Sequence, residues 1–99
     1  MPIPANPTPP DIRHLPDRGR FEVVVDGRTG ELEYRIAEGV MSILHTGVAP
    51  ALEGRGLAGA LTRAALAHAQ ATGLKVRPLC SYARSYIDRH PETTALLAN

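Results

Sequence analysis

Val48-Ala49-Pro50-Ala51-Leu52-Glu53-Gly54-Arg55-Gly56-Leu57-Ala58 is the stretch on which the fold turns. Before it the sequence reads as strand, and after it as helix. Val40 to Val48 is rich in apolar and β-branched residues, and Pro50 ends it because proline has no N–H for a ladder. From Gly56 to Thr72 the spacing turns helical, with Leu57, Leu61, Ala64, Ala65 and His68 three and four residues apart. Gly73 follows as a C-cap. A glycine-rich loop between a strand and a helix suits an anion. The first N–H groups of a helix lack intrahelical partners and carry partial positive charge. Glycines let a phosphate come close to that backbone, and Arg55 adds a charged donor. A tight turn with close helix–sheet packing is the plainer use of the same glycines.

Upstream, Phe21 to Val25 is short and β-branched and reads as a strand. Asp26-Gly27 is a hairpin signal. Gly30 to Ile36 alternates, with Leu32, Tyr34 and Ile36 on one face and Glu31, Glu33 and Arg35 on the other. Glu38-Gly39 marks a second turn, so three strands form an antiparallel meander. Downstream, Leu74 to Cys80 alternates as a fourth strand, and Ser81 to about Arg89 forms a second helix that stops before Pro91. The order is β-β-β-α-β-α, an α/β layered fold with a mixed sheet. Its strand–helix–strand portion takes a right-handed crossover and a parallel pair. Residues 1–18 carry Pro2, Pro4, Pro7, Pro9, Pro10 and Pro16 and read as a disordered proline-rich tail, with the domain over 19–99. A ligand for a polyproline-binding partner is the functional alternative for that tail.

Composition narrows the classes. The 99 residues fit one domain, and 43% hydrophobic with only 4% aromatic calls for an aliphatic core. Eleven basic against ten acidic side chains give a formal charge of +1, which offers no electrostatic reason for a nucleic acid or an anionic membrane as partner. Cys80 stands alone, so no internal disulfide is expected. The four histidines are scattered and point to no metal site. The most apolar run, Leu57 to Ala71, is broken by Arg63, His68 and Gln70, and no leader pattern precedes it. A cytoplasmic monomer or weak oligomer is the expectation.

There is no Gly-Lys-Ser/Thr, which excludes a Walker loop. Gly54-Arg55-Gly56-Leu57-Ala58-Gly59 does match the dinucleotide string Gly-x-Gly-x-x-Gly, and it opens a helix after a strand. A nucleotide site is therefore a competitor. Against it, the preceding strands form a meander, and little chain remains for a doubly wound sheet.

Val48-x-Pro50-x-x-x-Gly54-x-Gly56-Leu57-Ala58 resembles motif A of the Gcn5-related N-acetyltransferases. His45-Thr46-x-Val48, Pro78-Leu79-Cys80-Ser81-Tyr82, Tyr86-Ile87 and His90-Pro91-Glu92 extend the resemblance to a branch of short, single-domain members, from about Phe21 to Glu92. The resemblance implies acetyl-coenzyme A as cofactor. It implies that the amides of Glu53, Gly54, Arg55, Gly56, Leu57 and Ala58 hold the pyrophosphate, and that Thr46, Gly47 and Val48 meet the pantetheine arm. Tyr82 and Tyr86 fall beside the same cofactor. Ala51 departs from the Gln or Arg usual at its position and removes a side-chain contact. In that family the arm enters where two parallel strands splay apart. A bulge at Gly47 and the missing donor of Pro78 suit such a gap, although an edge strand also accommodates Pro78.

Acetyl transfer to an amine needs a neutral amine, an oriented thioester carbonyl and a proton source for the departing thiolate. Many relatives use a Tyr in the last helix, but Ile87 occupies that position here and Tyr86 points about 100° away. Cys80 is the replacement candidate. It precedes a helix, whose N-terminus favours negative charge, and it can protonate a thiolate or accept an acetyl group. A small packed thiol is the alternative. His45, placed mid-strand on the face of Met41 and Ile43, is a candidate base or a core histidine. Glu31, Glu33 and Glu38 read as a solvated face, with attraction of an amine as a second possibility. The expected activity is acetyl transfer from acetyl-coenzyme A to an amine. A coenzyme-binding module with little catalysis and an interaction domain recruited through the tail are the alternatives.

Overall fold

In the computed structural model, which describes residues 11–98, five strands form one sheet in chain order. They are β1 (Arg13–Leu15), β2 (Arg20–Val25), β3 (Arg28–Ala37), β4 (Val40–Val48) and β5 (Lys75–Pro78). The first four pair antiparallel, and β5 joins parallel to β4 after the crossover helix α1 (Leu57–Ala71). Helix α2 (Ser81–Arg89) follows. The β-β-β-α-β-α order therefore holds, with one short strand added in front. Both hairpins are two-residue turns of the primed kind, because Asp26, Gly27, Glu38 and Gly39 all have positive φ.

Alternation decides which face of the sheet is covered. Phe21 and Val23, Leu32 and Tyr34, and Met41 and Ile43 turn inward and meet Leu57, Leu61, Ala65 and Leu66 of α1 and Ala83 and Ile87 of α2. The buried stripe of α1 also takes in Thr62 and Ala69, while Ala64 and His68 stay half-buried. Thr62 is tolerated there because its hydroxyl donates to the Ala58 carbonyl at 2.8 Å. Helix α1 packs on β2 to β5, and α2 touches α1, β4 and β5, so both helices share one side. The opposite side carries Glu22, Val24, Glu31, Glu33 and Arg35, and no described helix covers it.

Three expectations change. The tail expected over 1–18 is ordered in its described part. Arg13–Leu15 pairs with Glu22, Phe21 and Arg20, and Pro16 starts a one-turn 3-10 helix rather than preventing one. The His14 ring supplies the reason, stacking on Phe21 at 4.1 Å and bonding the Tyr34 hydroxyl. The five earlier prolines lie outside the described residues. Second, the β4 bulge falls at Leu44, not Gly47. Glu33 pairs with His45 and Tyr34 with Ile43, which leaves Leu44 as the extra residue. Third, that extra residue reverses the parity of the strand beyond it. Met41 and Ile43 point inward, but His45 points to the open face, with its side chain 57% exposed.

Candidate functional site

The parallel ladder between β4 and β5 ends at Ile43 and Pro78. Two local features part the strands there. The Leu44 bulge bends β4, and the N–H groups of Leu79 and Cys80 both turn onto the Ile43 carbonyl, at 3.0 and 3.2 Å. From Thr46 to Val48, β4 keeps its β3 partners but has no described strand on its other side. That free edge offers peptide groups to an amide-bearing chain.

The loop after β4 is anchored before it opens. The Ala49 N–H bonds the Thr29 carbonyl at 3.2 Å, and a 3-10 turn over Pro50–Leu52 buries Leu52. Gly54 and Gly56 then adopt φ of +82° and +76°, a conformation that disfavours any Cβ. Gly56 caps α1 without a side-chain bond, and the first helical bond runs from Ala60 N–H to the Gly56 carbonyl at 3.0 Å. The N–H groups of Leu57, Ala58 and Gly59 precede that bond and lack intrahelical acceptors. They border a 210 Å³ pocket lined also by Val48, Glu53, Gly54, Gly56 and Tyr82. A set of unpaired amides at a helix N-terminus fits a pyrophosphate. Built Cβ atoms at Gly54 and Gly56 would meet no atom of the described residues within 4 Å, so these glycines serve backbone conformation rather than packing.

Cys80 is the N-cap of α2. Its Sγ accepts from the Ala83 N–H at 3.4 Å and lies 3.6 Å from Thr46 Oγ1. This half-buried sulfur therefore sits at the N-terminus of α2. His45 lies on the other side of the sheet, with Nε2 3.9 Å from Glu31 Oε1. A Cβ at Gly47 would come within 2.8 Å of His45 Nε2, so the ring lies across the bare Cα of Gly47. Thus Thr46 and Cys80 meet on the helix side, while Gly47 and His45 meet on the open side. The structure does not bring Cys80 and His45 into contact. On that open face Arg20 bonds Glu31 at 2.8 Å and approaches Glu22 at 3.7 Å. Glu38 sits apart, in the second hairpin turn.

Of the two tyrosines, Tyr82 borders the loop pocket, with its hydroxyl 3.4 Å from where a Gly59 Cβ would stand. Tyr86 does not. It is 5% exposed and stacks on His90 at 3.9 Å. Ile87 is buried in the core. Arg55 turns away from the loop pocket, with Nη1 4.0 Å from Asp26 Oδ2. It lines a second cleft of 590 Å³ with Tyr82, Tyr86, Arg63, Arg89 and His90. Sequence reasoning placed Gly59 in the loop string but did not bring Arg63 and Arg89 to this cleft. The available signal was helical spacing, since Arg63 lies one turn beyond Gly59 and breaks an apolar run.

The sequence profile of the GCN5-related N-acetyl-transferase family matches residues 20–96. Among solved structures, a GCN5-like protein from Staphylococcus aureus, determined by NMR in solution, aligns with a TM-score of 0.73 and 24% identity. The alignment covers 93% of this chain and 91% of that one, which establishes a shared fold. No curated protein matches the sequence. Among the described residues, no helix is long and apolar enough to cross a membrane.

Proposed function

This chain belongs to the GCN5-related N-acetyltransferase family, and from that premise we propose that it transfers an acetyl group from acetyl-coenzyme A to an amine. The observation that carries the reading is the row of unpaired amides at Leu57, Ala58 and Gly59. It lies beyond the strand edge that is left free where β4 and β5 part. A pyrophosphate seats on the amides, and the Thr46–Val48 edge bonds the pantetheine arm. The reacting end is then directed toward the strand gap where Cys80 caps α2.

When bound, acetyl-coenzyme A supplies the acetyl group as a thioester. The amine nitrogen bonds the carbonyl carbon as the carbon–sulfur bond breaks, so one proton leaves nitrogen and one reaches the departing sulfur. Cys80 gives its proton to that sulfur, held in place by the Ala83 amide and Thr46. His45 takes the nitrogen's proton on the open face, where the acceptor approaches beside Glu31 and Glu33. Tyr86 has no part in this proton transfer, because it lines the second cleft with Arg63 rather than the loop pocket or the strand gap.

The test is release of free thiol from acetyl-coenzyme A across a panel of primary amines. Amine-dependent release that falls in Cys80→Ser and His45→Gln supports the proposal. Intact mass after incubation without amine stays unchanged for direct transfer and rises by one acetyl group for an acyl-cysteine. Saturable coenzyme binding with no amine-dependent release replaces the proposal with a binding module.

A further inference from the structure

The 590 Å³ cleft between α1 and α2 has an unusual charge pattern for a nearly neutral protein. Arg55, Arg63 and Arg89 line it with His90, and no carboxylate does among the described residues. Arg63 and Arg89 form no ion pair among the described residues, and both are exposed. The only ion pair of Arg55 among the described residues is a long one to an exposed Asp26. The floor is packed, whereas the arginines at the rim are exposed. Tyr86 is buried, its ring stacks on His90 within 16° of parallel, and His90 Nδ1 bonds the Tyr86 carbonyl at 2.7 Å. The Arg63 guanidinium lies beside the Tyr86 hydroxyl.

The cleft is continuous with the loop pocket, since Gly56, Gly59 and Tyr82 border both. Arg63 is seven residues past Gly56, about 10 Å along the axis at roughly 1.5 Å per residue. Helical side chains lean toward the N-terminus, so its arm points back toward the amides. An anion in this cleft therefore lies within one small molecule's reach of an anion on the loop. Arginines that line one cleft, two of them without an ion pair among the described residues, suit a dianionic phosphomonoester, which two guanidinium groups can grip together.

We infer that Arg63 and Arg89, with Arg55 at the rim, read the phosphomonoester on the ribose of the donor and so select coenzyme A over its 3′-dephospho form. The inference rests on the coenzyme reading proposed above. It adds the residues that set donor specificity, which the glycine loop alone cannot set, because both forms carry the same pyrophosphate.

The experiment is calorimetric titration of the full chain with coenzyme A and with 3′-dephospho-coenzyme A at one ionic strength. Coenzyme A should bind about tenfold tighter or more. In Arg63→Gln/Arg89→Gln the two affinities should converge on the dephospho value. The Arg84→Gln variant, which removes an exposed α2 charge outside the cleft, should keep the preference. Equal affinities in the unsubstituted protein, or a double variant that weakens both forms alike, would overturn the inference and leave the loop assignment standing. Binding of neither form would overturn both.

Discussion

Replacing Gly56 probes the loop with a magnitude set by its geometry. Gly56 has φ of +76° and ψ of 14°, and a Cβ there meets nothing among the described residues within 4 Å. The cost of Gly56→Ala is therefore conformational alone. A left-handed non-glycine residue costs about 1–2 kcal/mol. Reduced freedom of the unfolded chain returns roughly 0.4–1 kcal/mol of that. The net loss is about 1 kcal/mol, which lowers the melting temperature by about 4–8 °C in a domain of this size. Asn tolerates the left-handed region, so Gly56→Asn should lose clearly less despite its larger side chain. Thermal unfolding followed by circular dichroism measures both. Equal losses for Ala and Asn, or losses that grow with side-chain volume, would refute the reasoning, because they would mean that packing rather than φ requires the glycine.

Gly47→Ala should change stability by less than about 0.5 kcal/mol, since the atom it meets is the far end of a half-exposed His45 ring, but the His45 ring resonances should move. A loss above about 2 kcal/mol by urea unfolding would contradict this. Cys80→Ser keeps an N-cap acceptor and should preserve stability, whereas Cys80→Ala should lose about 1 kcal/mol, and both should slow acetyl transfer. Unchanged turnover in both removes Cys80 from the chemistry. Burial first, and the nearby His68 second, lower the His14 pKa below 6.5. The unfolded chain therefore binds the proton first as pH falls. The His14 contribution to stability is complete above pH 6.5 and is lost as pH falls through the folded-state value. A melting temperature whose decline below pH 6.5 is the same in His14→Gln would rule this out.

The local code for the fold was strong. Two primed turns, the clean alternation of Leu32, Tyr34 and Ile36, and a helix bounded by Gly56 and Gly73 each specify one element with little tertiary help. The Leu44 bulge was not legible. A bulge is decided by how two strands match, and Leu44 is by itself an ordinary strand residue. Missing that one residue put His45 on the wrong face, because side-chain direction in a strand has period two. The ordering of Arg13–Leu15 was hidden for a related reason. It depends on His14 finding Phe21, Tyr34 and His68, the last two distant in sequence. At the site, the glycine loop was readable because its demand is on the backbone. The cationic cleft was not, because Arg55, Arg63 and Arg89 meet only when α1 and α2 pack on the same side of the sheet.

Coenzyme binding at the loop is tested most directly by titrating ¹⁵N-labelled protein with acetyl-coenzyme A, followed through the backbone amides. A coenzyme held by the loop and the free strand edge gives saturable shifts centred on Gly54, Gly56, Leu57, Ala58 and Gly59 and extending along Thr46 to Val48. Shifts centred instead on the pocket of His14, Tyr34 and His68, or no saturable shift at all, would contradict that placement.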